Sequence, residues 1–297
     1  AQPPSAQLAT SRSAGAWLLR AVAILFGLGA AGVVSLLILI AITMALAYPN
    51  LPDISDLEDY HPKLPLRVYS VEGDLIGEFG EEHRTLTPIA EIPEVMKNAI
   101  LAIEDARFFQ HGGIDYIGMV RAALANVGRS KSQGASTITM QVARNVYLSS
   151  EKTFTRKIYE VLLTFKLEHT LSKDQILEIY MNQIYLGNRA YGFAAACETY
   201  FGKPLKDITV AEAAMLAGLP KAPSAYNPIN NPKRARIRQQ YIIERMLDNG
   251  FITAAQADAA KSEVLHVKTA ATRTQVDAWL RDHPEEAARS EEHTSEL

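Results

Sequence analysis

A long uncharged stretch near the N-terminus limits what this chain can fold into. No residue from Ala21 to Pro52 is charged, and Ala21 to Ala47 consists almost wholly of Ala, Val, Leu, Ile, Phe and Gly. A helix rises about 1.5 Å per residue, so this stretch is long enough to cross the roughly 30 Å hydrocarbon core of a bilayer. We therefore predict a transmembrane helix over residues 17–48, preceded by a cytoplasmic tail over residues 1–16.

The charges that flank this stretch predict its orientation. Arg12 and Arg20 precede it, and no acid occurs among the first twenty residues. Because positive flanks stay on the cytoplasmic side, we expect everything after Pro52 to lie outside the inner membrane. A cleaved signal peptide is the alternative, since ALAYPN at the end of the stretch weakly resembles a cleavage site.

The remainder of the chain changes from extended to helical character. We interpret residues 49–84 as a proline-rich linker followed by a β-hairpin that turns at Glu72, Gly73 and Asp74, because apolar and polar residues alternate on both sides of them. Residues 85–265 have helical periodicity without βαβ alternation, with Pro93 at a first helical turn and a helix that closes at Gly187. Three capping boxes mark further helix starts: Ser172 with Gln175, Thr209 with Glu212, and Thr253 with Gln256. The predicted fold class is therefore mainly α.

Two short segments close the chain. We interpret residues 266–288 as the start of a lost C-terminal region. Residues 289–297 read RSEEHTSEL, which looks like the translation of a common sequencing adapter, so we expect an artefactual tail there. The only cysteine, Cys197, lies among small apolar residues and is expected to be a buried thiol.

Positive charge is concentrated in one part of a slightly acidic protein. The net charge is -3, yet residues 121–166 contain eight Lys or Arg and only two acids, Glu151 and Glu160. This excess indicates either a bound anionic ligand or an ordinary solvated basic face. A nucleic acid is the weakest candidate for that ligand, because the stretch is predicted to lie outside the cytoplasm.

The stretch EDARFFQHGG, residues 104–113, contains the first candidate for chemistry. Glu104 lies four residues after Ile100 and four before Phe108, so on one helix it shares an apolar stripe and is partly desolvated. Desolvation raises the pKa of a carboxyl group and suits it to acid–base work, although half of an ion pair is the alternative. Asp105, one step round the helix, is expected to hold the turn.

Two further stretches offer polar and cationic groups. GASTITMQ, residues 134–141, contains four polar side chains before Arg144: Ser136, Thr137, Thr139 and Gln141. These groups could bind a sugar or a diphosphate, and the alternative is an ordinary capped helix start. In TFTRKIYE, Arg156 and Lys157 lie four and three residues before Glu160, which suits a surface ion pair or a cationic site with one carboxylate. Polar side chains at the next helix are candidates for shaping a groove: Glu178, Asn182 and Gln183.

Two more stretches follow these three, KDQILEIYMNQIYLG at residues 173–187 and RAYGFAAACETYFGK at residues 189–203. All five, in this order, resemble the motifs of the peptidoglycan glycosyltransferases, glycosyltransferase family 51, which occur in class A penicillin-binding proteins and in monofunctional transglycosylases. The likeness covers about residues 60–265. It implies a lysozyme-like helical domain with one N-terminal transmembrane helix, in the periplasm, that polymerises lipid II into glycan strands. The implied partners are lipid II, the growing strand, the membrane and other cell-wall synthesis proteins, and no nucleic acid.

The resemblance also implies roles for individual residues. Glu104 corresponds to the catalytic base, and Glu160 to a second catalytic carboxylate near the donor diphosphate and its Mg²⁺ or another divalent cation. The positions implied to bind substrate are Asp105, Phe108, His111, Gly134, Ser136, Thr137, Gln141, Arg144, Asn145, Lys152, Arg156 and Lys157. Met140 departs from the family pattern, in which many members have Gln.

The resemblance implies a glycosyl transfer with inversion to the 4-hydroxyl group of the acceptor sugar, with release of undecaprenyl diphosphate. This reaction requires Glu104 and Glu160 to line the same cationic groove. A lysozyme-like glycan hydrolase and a catalytically silent membrane scaffold are the alternatives. We expect no transpeptidase domain in these residues, because SSEK at 149–152 lies inside the glycosyltransferase stretch and KTA at 268–270 departs from Lys-Thr-Gly.

Overall fold

The computed structural model describes residues 11–52, 66–69, 75–79, 82–126, 136–148 and 153–268. It divides into an N-terminal unit, Ala1–Pro52, and a second unit, Asp53–Leu297. Predictions for Gly134, Lys152, the hairpin turn at residues 72–74, the SSEK stretch and residues 269–297 lie outside the described residues.

Helix α1, Ser11–Ala47, forms the N-terminal unit and is followed by a short 3₁₀ turn, Tyr48–Asn50. Its span Gly15–Ala47 is long and apolar enough to cross a membrane. The helix begins six residues before the predicted start at residue 17, inside the stretch assigned to the tail. Residues 11–16 contain no proline, so nothing in their sequence stops the helix from extending towards the N-terminus.

Among the residues that the structure describes, four short strands precede or interrupt the helices of the second unit. Strands β1, Leu66–Tyr69, and β2, Leu75–Phe79, pair antiparallel, which confirms the predicted hairpin. Strand β3, His83–Arg84, pairs in parallel with β4, Ala190–Tyr191. The sequence did not predict this second pairing, because each strand has only two residues.

Nine helices make up most of the described part of the second unit, and they confirm the mainly α fold class. They are α2 Glu94–Glu104, α3 Tyr116–Asn126, α4 Ile138–Tyr147, α5 Phe154–Thr170, α6 Lys173–Gln183, α7 Phe193–Phe201, α8 Val210–Leu216, α9 Pro232–Asp248 and α10 Ala254–Ser262. Helix α4 packs on α5 and α6, while α2 packs on α8 and α9. The core includes large buried side chains from α6 and α7, among them Tyr180, Phe193 and Tyr200.

Local capping explains where several of these helices begin. The three predicted capping boxes, at Ser172, Thr209 and Thr253, are all present. Pro93 is the N-cap of α2 rather than its first helical residue. Helix α6 ends at Gln183, four residues before the predicted Gly187, because Gly187 belongs to a separate turn in which it has a φ of 90°.

Two predictions about α6 and α7 have clear outcomes. Cys197 is fully buried, and burial raises the pKa of its thiol to about 12, so the thiol is not a nucleophile. The three polar side chains expected to shape a groove are instead bound to the segment at residues 84–89. Asn182 exchanges two hydrogen bonds with the Thr87 backbone, each 2.9 Å, Glu178 accepts from Ile89 N at 2.7 Å, and Gln183 accepts from Arg84 at 2.9 Å.

Candidate active site

Glu104 is the last residue of α2, where the chain leaves helical conformation. Gln141, on α4, donates a hydrogen bond from its side-chain amide to Glu104 Oε2 at 2.8 Å. Burial raises the pKa of the Glu104 carboxyl group, and this hydrogen bond partly opposes the rise. The site therefore holds a desolvated carboxylate that points at α4 and has one neutral hydrogen-bond donor.

The expected reason for this desolvation is half wrong: Ile100 lies on α2 with Glu104, but Phe108 does not. Glu104 and Phe108 do not share one helical stripe, because α2 ends at Glu104 and Phe108 begins a short 3₁₀ helix, Phe108–Gln110. Phe108 is fully buried. The Phe109 ring packs edge-on against it, with 5.1 Å between the ring centroids, and Lys173 Nζ lies 4.3 Å from the centroid of the Phe108 ring. Phe108 thus packs beneath the site and presents no surface to a substrate.

Asp105 and His111 also support the site instead of lining it. The Asp105 carboxylate is buried and accepts hydrogen bonds from His111 Nε2 at 2.9 Å and from the Ile138 backbone N–H at 3.2 Å. These contacts fix the turn after α2 to the start of α4. The expectation that Asp105 holds the turn is confirmed. This geometry does not favour direct contact of Asp105 or His111 with substrate.

The hydroxyl groups before and within α4 have mainly structural contacts. Thr137 caps the helix by accepting from Met140 N at 3.2 Å, and it donates to Gly113 O at 2.6 Å. Thr139 donates to the carboxylate of Glu168. The alternative of a capped helix start therefore holds for Thr137. Ser136 is half-buried before α4, and Asn145 is exposed on it.

Three cations act electrostatically on the Glu104 carboxylate, and each lowers its pKa against the effect of burial. The largest effect of the three comes from Arg238 on α9, followed by Arg144 on α4 and Lys221 after α8. Only Arg144 was predicted from the sequence. Lys221 and Arg238 lie far from the basic stretch at residues 121–166, and no local pattern distinguishes them from other surface cations.

Tyr180, on α6, is a further neighbour that the sequence did not predict. Burial, together with the charge of Glu104, raises the pKa of its phenol well above the ordinary value. Its hydroxyl is buried and has no hydrogen-bond partner among the residues that the structure describes. The periodicity of α6 indicated only a core residue at this position, and periodicity does not tell which way a buried hydroxyl faces.

Glu160, on α5, has a different environment. It lies 2.6 Å from Lys157 Nζ through one oxygen and 3.3 Å from Arg156 Nη1 through the other, and its side chain is 1% exposed. Its backbone carbonyl accepts from the Thr164 hydroxyl at 2.7 Å. Helix α5, which carries Glu160, packs on α4, which carries the Gln141 that binds Glu104.

The divalent cation that was expected near Glu160 stays a prediction. Both Glu160 oxygens contact cationic side chains, and Mg²⁺ in proteins is usually held by one or two carboxylates together with substrate phosphates and water. Within the described parts of the chain, no group of three His, Cys, Asp or Glu side chains could hold a metal ion.

A desolvated acid surrounded by cations is typical of an enzyme that moves a proton on an anionic substrate. The family model described as Transglycosylase matches residues 72–247. The chain belongs to the transglycosylase family.

Two relatives by sequence agree with this family. The chain is 58% identical over 229 residues to penicillin-binding protein 1A of Neisseria gonorrhoeae, a match that covers 77% of this chain and 29% of the relative. It is 61% identical to a proposed transglycosylase of Cupriavidus necator, covering 61% of this chain and 78% of that protein. A crystal structure of penicillin-binding protein 1A from Haemophilus influenzae is similar over 74% of this chain and 25% of that chain, with 28% identity and a TM-score of 0.41.

Proposed function

We propose that this chain is an inverting peptidoglycan glycosyltransferase that polymerises lipid II into β-1,4-linked glycan strands and releases undecaprenyl diphosphate. The family supports the general activity. The observation that carries the finer proposal is the Glu104 carboxylate, which is desolvated, bound to Gln141 and surrounded by Arg238, Arg144 and Lys221. Such an acid can accept a proton beside a substrate that carries negative charge.

In the proposed reaction Glu104 removes the proton from the 4-hydroxyl group of the acceptor sugar. The resulting oxygen nucleophile attacks the anomeric carbon of the donor, and the bond from that carbon to the diphosphate oxygen breaks. The diphosphate leaves with the bonding electrons from the opposite face, so the new linkage is β. The raised pKa of Glu104 strengthens it as a base, while the three cations help to keep it ionised before the reaction.

Cationic side chains stabilise the leaving diphosphate in this proposal. Arg144 is half-buried on α4, and Arg156 has a buried Nε with no hydrogen-bond partner within the described residues. Preorganised positive charge of this kind lowers the barrier because it faces the oxygen on which negative charge develops. Glu160 acts as a positioning residue, since it fixes Arg156 and Lys157 on α5.

The surroundings of Glu104 favour transfer from a diphosphate over hydrolysis of a neutral glycan. Glycosidases use two carboxyl groups, one on each side of the bond that breaks, and these groups are about 5–9.5 Å apart. The charged side chains that act on the Glu104 carboxyl group in the described structure are all cations.

Helix α1 is proposed to anchor the enzyme in the inner membrane with its N-terminus in the cytoplasm and the helical domain in the periplasm. Lipid II and other cell-wall synthesis proteins would be its partners there.

The decisive experiment is polymerisation of labelled lipid II by the detergent-solubilised chain. Glu104→Gln should reduce turnover about 10²–10⁴-fold, because the amide cannot accept the proton. Glu91→Gln is the matched control, since Glu91 is exposed on the approach to α2, and it should have wild-type turnover. A folded Glu104→Gln variant with normal turnover, or a wild-type chain that cleaves finished glycan and makes no polymer, would contradict the proposal.

A further inference from the structure

Two tyrosines are among the largest fully buried side chains of the described structure, and their hydroxyl groups differ. Tyr200, on α7, donates to the Leu186 backbone carbonyl at 2.9 Å, and Asn227 Nδ2 lies 3.4 Å from its oxygen. Tyr180, on α6, has a buried hydroxyl with no hydrogen-bond partner among the described residues. A buried hydroxyl without a partner costs free energy that phenylalanine would avoid, so the oxygen of Tyr180 calls for an explanation.

The neighbours of the Tyr180 hydroxyl belong to the proposed active site. Helix α6 packs on α4, which carries Arg144 and the Gln141 that binds Glu104. Burial has the largest effect on the pKa of the phenol; the charged groups that act on it are Glu104, which raises this pKa, and Arg144, which lowers it. The unpartnered oxygen therefore lies near the carboxylate that the proposed reaction uses as its base.

Substrate has no direct access to Tyr180. Its side chain is 1% exposed, whereas Glu104 is half-buried and keeps a surface towards solvent. A glutamate side chain has several rotatable bonds, so a change of rotamer brings a carboxylate oxygen to a neighbouring donor. Glu104 can contact the acceptor sugar on one side and the Tyr180 hydroxyl on the other, and any effect of Tyr180 on the reaction passes through Glu104.

We propose that Tyr180 is a positioning residue whose hydroxyl donates a hydrogen bond to the ionised Glu104 carboxylate. The inference rests on the proposed function, in which Glu104 is the base. An ionised carboxylate has about four acceptor positions, so Glu104 keeps the bond from Gln141 and still has a position for the proton of the acceptor hydroxyl. The two donors come from α6 and α4, and together they fix the direction in which the carboxylate faces.

The raised pKa of the Tyr180 phenol suits it to this role. Over the pH range in which Glu104 titrates, the phenol stays protonated and is always available as a donor. A donor to the ionised form of an acid stabilises that form, so the proposed bond opposes the effect of burial on the pKa of Glu104. The described groups that already lower this pKa are Gln141, Arg238, Arg144 and Lys221.

The first test compares Tyr180→Phe with Tyr200→Phe in lipid II polymerisation by the solubilised full chain. Each variant removes one buried hydroxyl, and Tyr200 is the control because its hydroxyl binds the backbone. In Tyr180→Phe the acidic limb of kcat/KM should move about one pH unit to higher pH, because the ionised base loses a donor. Tyr200→Phe should keep the wild-type limb.

The second test measures melting temperature and needs no turnover. The proposed bond stabilises the folded state above the pKa of Glu104, and this stabilisation is lost as the pH falls through that pKa. Tyr180→Phe should melt about 2–4 °C below wild type above the pKa and at the wild-type temperature below it. Tyr200→Phe should lose the same amount on both sides, and in the Glu104→Gln background Tyr180→Phe should have no pH-dependent effect.

An unmoved acidic limb in a folded Tyr180→Phe variant would overturn the inference. Equal shifts in Tyr180→Phe and Tyr200→Phe would also overturn it, because they would indicate a general loosening of the core. The same holds for a stability loss in Tyr180→Phe that persists in the Glu104→Gln background. If the loss depends on pH and on Glu104 as expected while the wild-type chain makes no polymer, the proposed function fails and the hydrogen bond stands.

Discussion

Glu104 and Glu160 are the same chemical group in two different environments. Glu104 accepts one hydrogen bond from a neutral amide, and its cations act on it through space. Glu160 contacts Arg156 and Lys157 directly through its two oxygens. A carboxylate whose oxygens both bind cations is fixed in place, whereas one that is desolvated and has an oxygen free of such contacts can exchange a proton. The difference supports the proposed role of Glu104 as the base, and it favours a positioning role for Glu160 over the catalytic role that was predicted for it.

The largest expected effect on stability follows replacement of Glu160. Glu160→Ala should lower the free energy of unfolding by about 3 kcal/mol, because it leaves Arg156 largely buried without its counter-ion. Glu244→Ala, which removes an exposed partner of Lys261, should cost at most about 0.5 kcal/mol. Denaturant unfolding of the solubilised chain measures both, and equal losses would contradict the contrast between the two acids.

A second effect concerns activity. Gln141→Leu removes a hydrogen bond that lowers the pKa of Glu104, so that pKa should rise further. Because the base acts in its ionised form, activity falls as the pH drops through this pKa, and the acidic limb of kcat/KM should move to higher pH. Within that limb we expect about a tenfold loss. Gln240→Leu, at an exposed position on α9, should keep the wild-type profile, and an unmoved limb in Gln141→Leu would show that the bond does not tune the base.

Replacing Glu104 should change stability in the opposite direction to Glu160. Burial raises the folded-state pKa of Glu104 above its unfolded value near 4.5, so the folded state binds the proton more tightly. The stability that this provides is present at low pH and is lost as the pH rises through the folded-state pKa. Glu104→Gln should therefore melt at a higher temperature than wild type at pH 7, with the gap closing towards pH 4.5. A lower melting temperature at pH 7 would mean that Glu104 is a structural ion-pair partner.

A small effect on stability is expected at Lys157. Its side chain is 46% exposed, so solvent screens its pair with Glu160, and Lys157→Gln should cost less than about 1 kcal/mol. Arg156→Gln should cost more, because the Arg156 side chain is 17% exposed. The same unfolding measurement ranks the two variants, and the reverse order would show that Lys157 is the cation that fixes Glu160.

Features that depend on neighbouring residues were predicted well. The apolar stretch that becomes α1 and the capping boxes at Ser172, Thr209 and Thr253 follow from interactions within a few residues. The end of α6 was predicted wrongly because Gly187 was interpreted as a helix terminator. It opens a separate left-handed turn with Asn188 and Arg189, at φ values of 47° and 61°, and nothing in the spacing distinguishes these two uses of a glycine.

The candidate site was predicted in part. The motifs indicated Glu104, Gln141 and Arg144, and the structure places all three in one neighbourhood. They did not indicate that Phe108 packs below the site or that Asn182 binds the Thr87 backbone. The direction in which a side chain points depends on which helices pack together, and sequence spacing along one helix does not specify this.

The sequence by itself determined a helix that is long and apolar enough to cross a membrane, the helical class of the domain and the acids available for chemistry, because composition, caps and periodicity act over a few residues. Only the tertiary structure decided which acid is free and which is neutralised, and it brought Arg238 and Lys221 to Glu104 from more than a hundred residues away. The physical reason is that desolvation and charge act through space, so they depend on the packing of α2 against α8 and α9 and not on the order of residues along the chain.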